Sequence, residues 1–129
     1  MTETDPKILL IDDDNFLLDM YSLKFKKAGL QVDSSVNTQN ALDKIRAGNL
    51  YDIVLLDIIM PNMDGLDLMK IIRQEKLLPK AVFIMLTNNT EDFEKVRVLN
   101  VDDYIVKATM VPSEVIDKVL GIYKTKQKK

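Results

Sequence analysis

Five short apolar runs constrain this chain more than any other feature: Ile8 to Ile11, Leu30 to Val36, Ile53 to Leu56, Ala81 to Leu86 and Tyr104 to Val106. Most are apolar at consecutive positions. Such a strand has no polar side to turn to water and must be covered on both faces, as in a parallel sheet with helical crossovers. The second run alternates more and is expected at a sheet edge. Amphipathic stretches between the runs predict helices over 15–28, closed by Gly29, over 38–47, with Asn37 as N-cap and Gly48 after it, and over 65–76, with Asp64 as N-cap and Pro79 beyond. A fourth helix is expected over about 91–99, capped by Asn89 or Thr90, and a fifth from Pro112 to near Lys124. Five such units make a doubly wound α/β domain. Residues 1–129 are read as one domain with its core over about 6–124, a short polar N-terminus and a Lys-rich C-terminal end. Ligands of such sheets bind at the carboxyl ends of the strands.

Composition narrows the chemistry. The chain has no Cys and no His, which removes disulfides, thiolate nucleophiles, imidazole catalysis and Cys- or His-ligated metals. Any bound metal must be a hard, oxygen-seeking ion. Eighteen Lys and Arg against twenty Asp and Glu leave a formal charge of −2, giving no global attraction to nucleic acid or an anionic membrane. No apolar run reaches the roughly 18 residues of a membrane span. The polar start MTETDPK lacks the pattern of a signal peptide, so a cytoplasmic protein is expected.

The chemically telling residues stand where the strands end. Asp12 and Asp13 follow the first run directly and Asp57 follows the third, so both sets reach the same sheet edge. With the first strand beside the third, these carboxylates converge. Two like charges about 4 Å apart repel by roughly 4 kcal/mol at an effective dielectric near 20. Helix capping explains part of the acidic run, and Asp14 is expected to do only that. Asp57 closes a buried strand and is desolvated unless something pairs with it. Mg²⁺ suits it, with Asp13, Asp57 and a backbone carbonyl just past Asp57 as half of an octahedral shell and phosphate oxygens in the open positions. Thr87 closes the fourth run and Lys107 the fifth. Alone, each has an ordinary reading as a loop-starting Thr or a solvated Lys. Together the edge carries metal ligands, a nucleophile, a hydrogen-bond donor and a fixed cation, the parts phosphoryl transfer requires.

Four segments in this order make the chain resemble a response-regulator receiver domain of two-component signalling over nearly its whole length. They are Asp12-Asp13, the stretch from Asp57 through Met60-Pro61 to Gly65, Thr87, and Asp103-Tyr104-Ile-Val-Lys107. The resemblance implies a (βα)5 flavodoxin-like fold with strand order 2-1-3-4-5. It also implies that Asp57 is the phosphoacceptor, taking its phosphoryl group from a phosphohistidine of a partner sensor kinase or histidine phosphotransfer protein. Asp13, Asp57 and the carbonyl of Ile59 would hold Mg²⁺, or Mn²⁺ in its place, with Asp12 acting through water. Lys107 and Thr87 would bind phosphoryl oxygens. Thr87 and the aromatic Tyr104 would form the switch, altering the face made by the fourth helix, the fifth strand and the last helix. Met60, Pro61 and Gly65 would shape the loop after Asp57, with Gly65 supplying backbone freedom.

Some positions depart from the receiver pattern. Ala108 stands where receivers generally carry proline in a cis bond. A cis bond without proline costs about 2.5–4 kcal/mol, so a trans Lys107–Ala108 peptide is expected. Asn88 occupies a site that is usually small and is expected to narrow access to the phosphoryl pocket. Ile59 and Asn89 offer no carboxylate to orient a hydrolytic water, so a long-lived phosphoryl state is expected. Asn100-Val101, in place of the common Gly-Ala, is read as inconsequential.

Other readings share part of this pattern. A haloacid-dehalogenase-type phosphatase would also use a strand-end Asp and Mg²⁺, but its first motif expects Thr or Val where Phe16 stands. A degenerate receiver would bind partners without phosphorylation. A flavin carrier lacks its Ser/Thr/Gly-rich phosphate loop here, and an EF-hand lacks its loop Gly and distal Glu. No turnover enzyme, no direct nucleic-acid contact and no attached output domain are expected. Output would then pass through protein contact or a phosphorylation-dependent dimer.

Overall fold

The computed structural model describes residues 6–58, 65–87, 101–106 and 111–127. Its strands are β1 (Lys7–Ile11), β2 (Gln31–Ser35), β3 (Ile53–Asp57), β4 (Val82–Thr87) and β5 (Asp103–Val106). Its helices are α1 (Asn15–Lys27), α2 (Thr38–Arg46), α3 (Gly65–Gln74) and a last helix, here α4 (Pro112–Gln127). The helix expected over 91–99 lies outside the described residues. All strand pairs are parallel and the order is β2-β1-β3-β4-β5, a flavodoxin-like sheet with the alternating run β2 at one edge, as expected.

The consecutive apolar residues split by parity into two layers. Leu9, Ile11, Val54, Leu56, Phe83 and Met85 pack with Leu42, Leu68, Met69 and Ile72 of α2 and α3. Ile8, Leu10, Ile53, Leu55, Ile84 and Ile105 pack with Leu18, Tyr21, Phe25 and Val119 of α1 and α4. Every residue of β3 is buried. Because each helix returns against the strand direction, all four start at the sheet's carboxyl edge and end at its amino edge. Their last turns are basic throughout: Lys24, Lys26 and Lys27 in α1, Lys44 and Arg46 in α2, Arg73 in α3, Lys124 and Lys126 in α4. Cations there complement the helix dipole. Among the described residues no helix is long and apolar enough to cross a membrane.

A polar network fastens the edge strand β2. Asp33 accepts hydrogen bonds from Lys44 Nζ (2.8 Å) and the Tyr51 hydroxyl (2.7 Å), while Lys44 also reaches the Ser34 carbonyl (2.7 Å). Burial works to raise the Asp33 pKa, but these bonds outweigh it and leave it below the ordinary value. Burial, reinforced by the bond to Asp33, pushes the Tyr51 phenol up.

Helix α3 ends at Gln74, two residues short of the expected 76. The Leu77 N–H returns to the Ile72 carbonyl (3.0 Å) and the Lys76 N–H to that of Arg73 (3.3 Å), which closes the helix with a left-handed residue. That residue is exposed Lys76, with φ of 56°, where glycine is the usual occupant. Lys76→Gly is therefore expected to stabilise the fold by about 1 kcal/mol and raise the melting temperature by a few degrees. An unchanged or lower melt by circular dichroism would contradict this.

Candidate functional site

The three acidic positions singled out by sequence meet at the carboxyl edge. Asp57 is the last residue of β3 rather than the first after it, and Asp12 follows β1 directly. One carboxylate oxygen from each of Asp12, Asp13 and Asp57 lies within 4.8 Å of the other two. Asp12 is 3% and Asp57 7% exposed, whereas Asp13 is open to solvent.

Neighbouring elements fix each residue. The Asp12 N–H donates to the Ser35 carbonyl at the end of β2 (3.2 Å), so the edge strand sets the height of Asp12. Asp12 Oδ1 accepts the Asp14 N–H (3.0 Å), and Asp14 Oδ1 accepts the N–H groups of Phe16 (2.9 Å) and Leu17 (3.2 Å). Asp14 is thus the cap of α1, as expected, while Asp12 and Asp13 address the site. On β3 the Ile58 N–H continues the ladder to the Leu86 carbonyl (3.1 Å), and the Ile58 carbonyl accepts the Gly65 N–H (2.8 Å).

Gly65 answers a different need from the expected one. Its φ is not positive, so backbone freedom is not its purpose. A Cβ added there would overlap the Asp57 carbonyl oxygen and stand 3.2 Å from both the Asp57 carbonyl carbon and Ile58 Cα. Glycine is required for space.

Thr87 ends β4 opposite Val106, one residue beyond the level at which Asp57 faces Leu86. Tyr104 pairs with Met85 and lies half-buried against the layer facing α2 and α3. Lys107, Ile59, Asn88 and Asn89 lie outside the described residues, as do Asp64 and the Lys107–Ala108 peptide. Sequence reasoning missed the Ser35 carbonyl, because a main-chain acceptor leaves no mark in residue type.

The donor set suits a hard divalent cation. Three carboxylates and no Cys or His are present. Octahedral ligands of Mg²⁺ at about 2.1 Å stand roughly 3–4 Å apart, a spacing these oxygens reach with little movement. Among the described residues this is the one group of three or more potential metal-ligating side chains.

A parallel 2-1-3-4-5 sheet with a carboxylate cluster at its carboxyl edge defines the receiver type of flavodoxin-like domain. The chain belongs to the response regulator receiver domain family, which it matches over residues 8–119. It is 32% identical over 118 residues to the alkaline phosphatase synthesis transcriptional regulatory protein PhoP of Bacillus subtilis, covering 90% of this chain and 48% of that one. The chain spans about half the length of the curated relatives it matches. The Francisella response regulator 1452 receiver domain superposes with a TM-score of 0.80 at 31% identity, covering 94% of this chain and 98% of that one. Response regulator TrrA of Thermotoga maritima, in complex with Mg²⁺-BeF, superposes with a TM-score of 0.78 at 31% identity, covering 91% and 98%.

Convergent carboxylates repel and a cation relieves them. Mg²⁺ at a hundredfold excess over its dissociation constant is expected to add about 2.7 kcal/mol and raise the melting temperature by several degrees. Asp13→Asn is expected to raise the melt without metal and to blunt the response to Mg²⁺. A melt indifferent to both changes would show that the carboxylates do not act on one another.

Proposed function

We propose that the chain accepts a phosphoryl group on Asp57 from the phosphohistidine of a sensor kinase or a histidine phosphotransfer protein. The observation that carries this reading is the convergence of Asp12, Asp13 and Asp57 at the carboxyl edge of a receiver-family sheet. A carboxylate oxygen of Asp57 attacks phosphorus. The phosphorus–nitrogen bond breaks, an acyl phosphate forms, and the departing imidazole nitrogen takes a proton from solvent. Asp13, Asp57 and the Ile59 carbonyl would hold Mg²⁺, or Mn²⁺ in its place, with Asp12 acting through water. The ion supplies charge neutralisation between the carboxylates and the incoming phosphoryl oxygens. The complex of TrrA with Mg²⁺-BeF supports this choice.

Lys107 offers a fixed cation to one phosphoryl oxygen and Thr87 a hydroxyl to another. Thr87 moves toward the new phosphate and Tyr104 turns inward, changing the face of β5, α4 and the helix expected over about 91–99. A partner protein reads that face, or two copies pair on it, in the cytoplasm. The cycle is one of self-modification and not turnover of a substrate stream.

Intact mass after incubation with Mg²⁺ and either a small phosphodonor or a promiscuous histidine kinase tests this. The wild type is expected to gain one phosphoryl group and Asp57→Asn none, with the small donor slower on the expectation that Asn88, larger than the usual residue there, narrows access. No gain from either donor while Mg²⁺ still binds would favour a phosphorylation-independent binding module. Sustained release of phosphate from esters would point to a phosphatase instead.

Ile59 and Asn89 offer no carboxylate to a hydrolytic water, so the phosphoryl group is expected to persist well beyond seconds. Following the phosphorylated mass after removal of the donor, with Mg²⁺ present, measures this directly. Loss within seconds would exclude it.

A further inference from the structure

We infer that Gly65 is a positioning residue for the acidic site, setting the place of Asp57 by the close approach of helix α3 to the Asp57–Ile58 peptide. The inference rests on the reading of Asp57 as cation ligand and phosphoacceptor.

Ile58, the residue after Asp57, is held at both its N–H and its carbonyl. The N–H bonds to Leu86 of β4 (3.1 Å); the carbonyl accepts the N–H of Gly65, the first residue of α3 (2.8 Å). The bare Cα of Gly65 faces the Asp57 carbonyl, and a methyl group there would overlap that oxygen.

Neither partner has room to yield. Strand β3 is buried throughout and paired on both sides, with Asp57 opposite Leu86. Helix α3 is pinned by Leu68, Met69 and Ile72, each 0% exposed. A side chain at 65 must therefore move the Asp57 peptide, lift the start of α3, or both. Moving that peptide shifts the Asp57 carboxylate relative to Asp12, which follows β1 and is tied to Ser35 of β2, and to Asp13 beside it.

Local conformation gives no other reason for the glycine. Its φ is ordinary, and alanine is the better helix former. Gly121, within α4, makes the comparison: a Cβ there would meet nothing within 4 Å and its φ is also ordinary. Coupling is reciprocal, so a cation that draws the three carboxylates together also tightens the contact between residues 58 and 65.

The test measures Mg²⁺ affinity by calorimetry and phosphoryl gain by intact mass for the wild type, Gly65→Ala and Gly121→Ala. Gly65→Ala is expected to bind Mg²⁺ about 10–100-fold more weakly and to accept phosphoryl groups more slowly at limiting Mg²⁺, recovering part of the rate at high Mg²⁺. Gly121→Ala is expected to match the wild type in both. A purely structural role would lower the melting temperature of Gly65→Ala and leave the Mg²⁺ affinity of its folded form intact, and that result would overturn the inference.

If Gly65→Ala does not fold, hydrogen exchange at the Gly65 amide of the wild type decides. Its protection is expected to rise with Mg²⁺, and unchanged protection overturns the inference. A wild type that neither binds Mg²⁺ nor gains a phosphoryl group would instead remove the reading of Asp57, and this inference with it.

Discussion

Two-sided burial of the central strands is the constraint from which the rest of the structure follows. β1, β3 and β4 turn alternate side chains into two separate apolar layers, each roofed by a pair of helices. Polar atoms have almost no place along such strands, because an unpaired buried polar group costs several kcal/mol, roughly 2–7 depending on the reference state. They are displaced to the strand ends, and parallel pairing brings those ends to one edge. Confining the polar groups there is thus a by-product of how the sheet is covered.

Holding carboxylates together against their repulsion takes a frame rather than a single contact. Asp12 hangs from the last carbonyl of β2, which the Asp33–Lys44–Tyr51 network fastens to α2 and to the start of β3. Asp57 stands between β4 and the first residue of α3. Asp14 takes up the orphan N–H groups of α1 and leaves Asp13 facing solvent. The acidic run thus divides into an anchored residue, an exposed one and a cap, roles its composition alone does not separate.

Much of this was legible before any coordinates. The strands follow from consecutive apolar runs and the edge position of β2 from its alternation, because burial acts directly on residue type, while the order of the strands comes from the resemblance to receiver domains. The convergence of Asp12, Asp13 and Asp57 follows from their places at the ends of two adjacent strands. What was not legible depends on backbone geometry. Helix α3 stops at Gln74 because Lys76 takes a left-handed conformation that lysine gives no reason to expect. Gly65 reads as a flexible loop residue in sequence and proves to be a spacer against the Asp57 peptide. Ser35 serves through its carbonyl, which every residue has.

The parallel run of the helices has an electrical result. A formal charge of −2 describes the chain as nearly neutral, yet among the described residues basic side chains stand at the last turn of every helix, at the amino edge, and three carboxylates converge at the carboxyl edge. This separation of charge among the described residues runs along the strands. A charged body arriving within a Debye length, about 8 Å at physiological ionic strength, exerts a torque on it before any surfaces touch. Orientation at first encounter is therefore a property of the whole fold, and salt weakens it without altering a single contact.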